Sequence, residues 1–131
     1  MPKTVLLVED DPRNQRLFND LLEIQGYRTV TSDTGLDAVE LARAHRPDLI
    51  LMDIRLPQVS GVELTKIIKA DDELRRIPVV ALTAKALPGD EARLLAGGCD
   101  GYLAKPINIK DFLSTVAAYV EAGDTPPARP H

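Results

Sequence analysis

The 131-residue sequence predicts an α/β domain, a parallel β-sheet with helices packed on both faces. Strand-like and helix-like segments alternate five times along the chain. The runs at 4–8, 49–52 and 79–82 lack a polar/apolar alternation, as strands covered on both sides do. The length fits one domain, and no internal repeat or second hydrophobic unit is present. From pattern alone, a five-stranded doubly wound sheet and other small α/β strand orders both fit.

The first strand spans 4–8. Asp11 is placed to cap the helix that follows, and Pro12 to occupy its first turn. Leu17, Leu21 and Ile24, with Phe18 and Leu22, supply that helix's apolar stripe, and Gly26 ends it. A shorter, weaker strand is expected at 28–31. Thr34-Gly35 opens a second helix with Leu36, Ala38, Val39 and Ala42 turned inward, closed near Pro47. After the strand at 49–52, Ser60 can cap a third helix, with Glu63 three residues on. That helix carries Val62, Leu64, Ile67 and Ile68. The strand at 79–82 precedes a weaker helix at 89–96, which meets Gly97-Gly98. A short strand at 101–104 and a final helix at 109–120 complete the series. Ile109, Phe112, Leu113, Val116 and Val120 run along one side of the latter. The domain is expected over 1–122. Residues 123–131, rich in Gly, Pro and polar side chains, read as a disordered tail.

Composition narrows the function. The formal charge is −4 and the densest basic spot is only Arg75-Arg76, which argues against nucleic-acid binding. No run approaches the ~18–20 apolar residues of a membrane span, and the start MPKTVLLVEDD is too short and too soon acidic for a signal peptide. Cys99 is alone, so a disulfide framework and a thiolate metal site are excluded and a reducing cytoplasm is the expected location. Cys99 itself reads as a small packed residue, and His45 and His131 as solvent-facing or terminal. Neither a GxxxxGK[ST] nor a GxGxxG phosphate loop occurs. Two Phe, three Tyr and no Trp leave little to stack on a flavin.

In a doubly wound sheet, ligands bind beyond the C-terminal ends of the strands. The first strand ends in Glu9-Asp10-Asp11, the third in Asp53, the fourth in Thr83 and the fifth in Lys105-Pro106. Like charges packed together oppose each other's ionisation and call for a counterion. Oxygen donors without thiolates or a histidine pair suit a hard cation, and Mg²⁺ is expected. A carboxylate beside such an ion can attack a phosphoryl group, while a lysine neutralises the transferred oxygens and a threonine hydroxyl adds a hydrogen bond. Asp53 is the candidate nucleophile because it stands alone, and Glu9 and Asp10 can share the metal. Singly, Asp53 would read as a turn residue, Thr83 as a strand filler and Lys105 as a solvated charge. Four strand ends carrying them in order favour the site.

The stretches VLLVEDD, LILMDIRLPQVSGVE, VVALTA and GYLAKPI, in this order, resemble the response-regulator receiver domains of two-component signalling. The resemblance covers about residues 3–121. It implies a (βα)5 fold with flavodoxin-like strand order 2-1-3-4-5. It also implies phosphorylation of Asp53, assisted by Thr83 and Lys105. Asp10 would be the principal side-chain Mg²⁺ ligand, with Glu9 acting through metal-bound water and the Arg55 backbone carbonyl completing the protein ligands. Thr83 and Tyr102 match the switch positions, and Lys105-Pro106 the family's cis peptide. Tyr102 reads equally well as a partly buried strand residue beside the last helix. Glu9 stands where Asp is commoner. Arg55 and Lys85 lie where family members tune the lifetime of the acyl phosphate, and the small Ala84 leaves the site open.

The implied partners are a histidine kinase or histidine phosphotransfer protein and a downstream kinase or adaptor. The latter would dock on the face made by the fourth helix, fifth strand and fifth helix. Longer stretches at 9–27, 35–54 and 89–107 look like family members that control cell division. Such a protein is a phospho-acceptor rather than an enzyme. Two other classes compete. A Mg²⁺-dependent phosphatase with an aspartyl nucleophile usually carries a second acid two residues on, where this chain has Arg55. A constitutive binding module would neither bind Mg²⁺ appreciably nor switch.

Overall fold

A computed structural model describes residues 3–83 and 95–121. Most of the predicted helix at 89–96, Ala84, Lys85, His131 and the predicted tail lie outside the described residues. The described elements are β1 (Thr4–Val8), α1 (Pro12–Ile24), β2 (Arg28–Ser32), α2 (Ala38–His45), β3 (Leu49–Asp53), α3 (Gly61–Ala70), β4 (Val79–Thr83), β5 (Gly101–Ala104) and α4 (Ile109–Glu121). The strands form one sheet in the order β2-β1-β3-β4-β5, every pair parallel. This is the doubly wound order that the family resemblance implied.

Successive residues of the central strands point to opposite faces, and both faces are covered. Val5, Leu7, Leu49, Leu51, Val80 and Leu82 pack with Phe18 and Leu22 of α1 and Phe112 and Val116 of α4. Leu6, Val8, Ile50, Met52, Val79 and Ala81 pack with Ala38 and Ala42 of α2 and Leu64 and Ile68 of α3. Each fully buried large side chain contributes on the order of 2 kcal/mol relative to exposure. The Phe18 and Phe112 rings stack at 4.9 Å and tie α1 to α4. The helix caps follow local chemistry: Asp11 accepts from the Arg13 amide at 2.9 Å, and Ser60 Oγ from the Val62 amide at 3.2 Å.

Several local expectations are corrected. The second helix begins at Ala38, not at Thr34-Gly35. Ser32 Oγ accepts from the Gly35 amide at 3.1 Å and donates to Asp37, and Gly35 takes a φ of 83°, so residues 32–37 form a turn. Leu36 therefore lies in that turn, 62% exposed rather than inward. Ile24 is 77% exposed, and Leu17, Ile67 and Ile109 are also exposed. Helical spacing marks a broad stripe, but a helix laid on a sheet buries only its central arc. Strands β2, β3 and β4 each run one residue past their expected ends, which brings Asp53 and Thr83 into the sheet itself.

Candidate functional site

Strands β1, β3, β4 and β5 bring Glu9, Asp10, Asp53, Thr83 and Lys105 together at the C-terminal end of the sheet. The backbone is fixed first. The Glu9 amide donates to Ser32 O at 3.1 Å, and Gln15 Nε2 bridges Glu9 O at 3.2 Å and Asp33 Oδ1 at 2.6 Å. Asp53 pairs with Leu82 in the β3–β4 register, one residue before Thr83. The Lys105 amide donates to Thr83 O at 2.6 Å, and the Lys105-Pro106 peptide is cis, as the resemblance implied.

The side chains then converge. Glu9 is fully buried, Asp53 is 5% exposed, Thr83 is buried and Asp10 faces solvent. Lys105 Nζ donates to Glu9 Oε1 at 2.8 Å and to Asp53 Oδ2 at 3.3 Å. The Arg55 amide donates to Asp53 Oδ1 at 3.0 Å, which orients the carboxylate, while the Arg55 side chain is exposed. Tyr102 is partly buried and packs against the cluster under α2 and α3, not the one under α4.

One ammonium faces three carboxyl groups, and the electrostatics reflect the imbalance. Burial, then the Glu9 carboxylate, pushes the Asp53 carboxyl up to about 6. Asp10, although it faces solvent, is raised by partial desolvation and by Asp53. Burial acts to lower the Lys105 ammonium, but contacts with Glu9 and Asp53 outweigh it and hold the group above the ordinary lysine value. The arrangement fits a hard divalent cation. One carboxylate oxygen each of Glu9, Asp10 and Asp53 lies within 4.8 Å of the other two. Glu9 Oε2 is buried without a hydrogen-bond partner among the described residues, a costly state that a cation or its bound water would relieve.

Gly61 belongs to this site and was missed in the sequence. Its amide donates to Ile54 O at 3.1 Å, Arg55 and Ser60 bridge just before it, and a β-carbon on it would overlap the Asp53 carbonyl oxygen. The available signal was only a glycine directly after the Ser60 cap, at a point where the chain returns toward the end of β3. Gln15 was missed as well, because nothing in a helical polar residue announces a backbone partner on the neighbouring strand.

Residues 5–117 match the response regulator receiver domain. The chain belongs to that family. This receiver is similar to the polar-differentiation response regulator DivK of Brucella anthropi, at 56% identity over 120 residues, covering 92% of this chain and 98% of the relative. Among solved structures it resembles the receiver domain of a sensor histidine kinase from Pseudomonas aeruginosa, which holds a magnesium ion in its active-site cleft. That match has 39% identity and a TM-score of 0.84, covering 92% of this chain and 99% of the other. The chemotaxis response regulator CheY4 of Vibrio cholerae matches at 27% identity and a TM-score of 0.85, over 91% and 99% of the two chains. The receiver is thus a two-component signalling protein. Among its described residues, no helix is long and apolar enough to cross a membrane.

Proposed function

We propose that this receiver accepts a phosphoryl group from a phosphohistidine onto Asp53 and so changes its protein contacts. The observation that carries this is a nearly buried carboxylate at the end of β3, with Lys105 Nζ at 3.3 Å and Glu9 and Asp10 beside it. Asp53 Oδ2 attacks phosphorus as the bond from phosphorus to the donor imidazole nitrogen breaks. The electron pair returns to that nitrogen, which takes a proton from solvent. The Arg55 amide keeps Oδ1 fixed so that Oδ2 faces the donor. Lys105 follows the new negative charge from the carboxylate to a phosphoryl oxygen, and the Thr83 hydroxyl supplies a further hydrogen bond. Asp10 and Asp53, with Glu9 through a bound water and the Arg55 carbonyl, would hold Mg²⁺, which neutralises charge on the phosphoryl oxygens.

Movement of Thr83 opens space for Tyr102 and alters the surface made by the predicted fourth helix, β5 and α4. The phosphoryl source is a histidine kinase or histidine phosphotransfer protein, and the output is contact with a downstream kinase or adaptor in the cytoplasm. Likeness to DivK supports a place in cell-cycle or cell-division control. The test is incubation with a small phosphodonor and Mg²⁺. One phosphoryl group per chain is expected, absent in Asp53→Asn. Sustained turnover of phosphate esters would instead indicate an aspartyl phosphatase, and full labelling of Asp53→Asn would overturn the assignment.

A further inference from the structure

Thr65 is fully buried where α3 faces the turn that leads into β5. Its hydroxyl donates to the Gly61 carbonyl oxygen, one helical turn back, at 2.8 Å. The Cys99 thiol, 3.9 Å away, is in turn a weak donor to that hydroxyl oxygen. Valine would fill nearly the same space without needing a hydrogen-bond partner. Within a helix, a hydroxyl bonded to the carbonyl four residues back adds little stability of its own. What it holds here is Gly61.

Gly61 is gripped from both sides. Its amide donates to Ile54 O at 3.1 Å, and its carbonyl receives the Thr65 hydroxyl. The first of these bonds closes the neck of the loop 54–61, across which Arg55 and Ser60 also bridge. That loop supplies the Arg55 amide, which holds Asp53 Oδ1 at 3.0 Å, and the Arg55 carbonyl proposed above as a metal ligand. Gly61 itself rests against the Asp53 carbonyl oxygen with no room for a β-carbon.

We infer that Thr65 is a positioning residue for Asp53, acting through the Gly61 carbonyl and the loop that Gly61 closes. This rests on the phosphoryl-acceptor function proposed above. The hydroxyl sets how closely the first turn of α3 stands against the end of β3. Without it, that turn eases away from the strand and the Arg55 amide turns with it. Oδ1 is then held less firmly, and Oδ2 spends less time facing the donor. A displacement of about 1 Å near a reacting group can cost on the order of 100-fold in rate, so a fraction of that is measurable.

Two comparisons at position 65 isolate the hydroxyl. Thr65→Val exchanges it for a methyl group, and Thr65→Ala differs from Thr65→Ser by its loss alone. Phosphoryl uptake from a small phosphodonor at saturating Mg²⁺ is timed for each under conditions where the variant is folded. Thr65→Val is expected to be roughly tenfold slower than the wild type, and Thr65→Ala roughly tenfold slower than Thr65→Ser. Thr65→Ser is expected within about twofold of the wild type despite losing a buried methyl group, whereas a side chain serving only packing would rank the variants by volume. The serine and alanine pair decides the matter should valine not be accommodated. By nuclear magnetic resonance of the metal-free protein, the Arg55 amide proton should move upfield in Thr65→Val and Thr65→Ala and hold its place in Thr65→Ser. Equal rates within both comparisons, or an Arg55 amide signal indifferent to the hydroxyl, would overturn the inference. If the wild type takes up no phosphoryl group, the acceptor function falls, and the Arg55 signal still decides whether Thr65 positions that amide.

Discussion

Gly61 lies so close against the end of β3 that a β-carbon there would overlap the carbonyl oxygen of Asp53. It would also stand 2.8 Å from Ile54 Cα, and neither obstacle is a side-chain tip that can swing away. The first residue of α3 thus sets the height of the strand that presents Asp53. Gly61→Ala is expected to cost about 1–3 kcal/mol in denaturant unfolding. It should also slow labelling by a small phosphodonor under conditions where the variant is folded. Unchanged stability with normal labelling would contradict the close approach.

Asp53 itself is a source of instability in the metal-free protein. Its carboxyl is raised from 3.8 to about 6 by burial and by Glu9, so the native state binds the proton more tightly than the unfolded chain. Stability from this group is greatest below pH ~4, falls as pH rises through about 6, and is a net cost at neutral pH. Asp53→Asn is therefore expected to be more stable than the wild type at pH 7 in chelator, on the order of 2 kcal/mol. The difference should shrink toward pH 4. Denaturant curves across that range provide the check.

Thr83 is buried at the end of β4, with its carbonyl accepting from the Lys105 amide, while Tyr102 sits two residues before Ala104, the register partner of Thr83. Thr83→Ala is expected to accept the phosphoryl group at a rate comparable with the wild type, because Asp53 and the carboxylates proposed to hold Mg²⁺ are untouched. It should not pass the change on. The Tyr102 ring resonances should shift on phosphorylation of the wild type and stay in place in Thr83→Ala.

A second polar node sits at the opposite end of β4. Lys69 Nζ donates to Asp100 Oδ2 and Ile77 O, each at 2.8 Å, and Asp100 Oδ2 also accepts from the Val79 amide at 2.8 Å. This clasp joins α3 to the start of β4 and the approach to β5. Lys69→Met leaves the half-buried Asp100 without its cation and is expected to cost about 1–3 kcal/mol. Phosphoryl stoichiometry of the folded variant should not change, which separates this structural lysine from Lys105.

Much of this was legible in the sequence because it is written locally. Unbroken apolar runs located β1, β3 and β4, and Asp11-Pro12 located the start of α1. The charged residues that follow successive strands mark the C-terminal end of the sheet as the site. What stayed hidden depends on partners distant in the chain. Leu36 looked helical until Ser32, Gly35 and Asp37 formed a turn around it. Leu17 and Ile24 have the right spacing, yet the sheet beneath α1 is covered by Phe18 and Leu22. Gly61 carries its meaning only in its distance from Asp53, and Glu9 in the reach of its extra methylene to Lys105.

The most direct measurement locates the phosphoryl group. Borohydride reduces an aspartyl phosphate to homoserine, which peptide mass spectrometry assigns to a position. After treatment with a small phosphodonor and Mg²⁺, homoserine is expected at position 53 and at no other acidic residue. Homoserine at Asp10 or elsewhere, or none in a chain that has bound Mg²⁺, would contradict phosphoryl acceptance by Asp53.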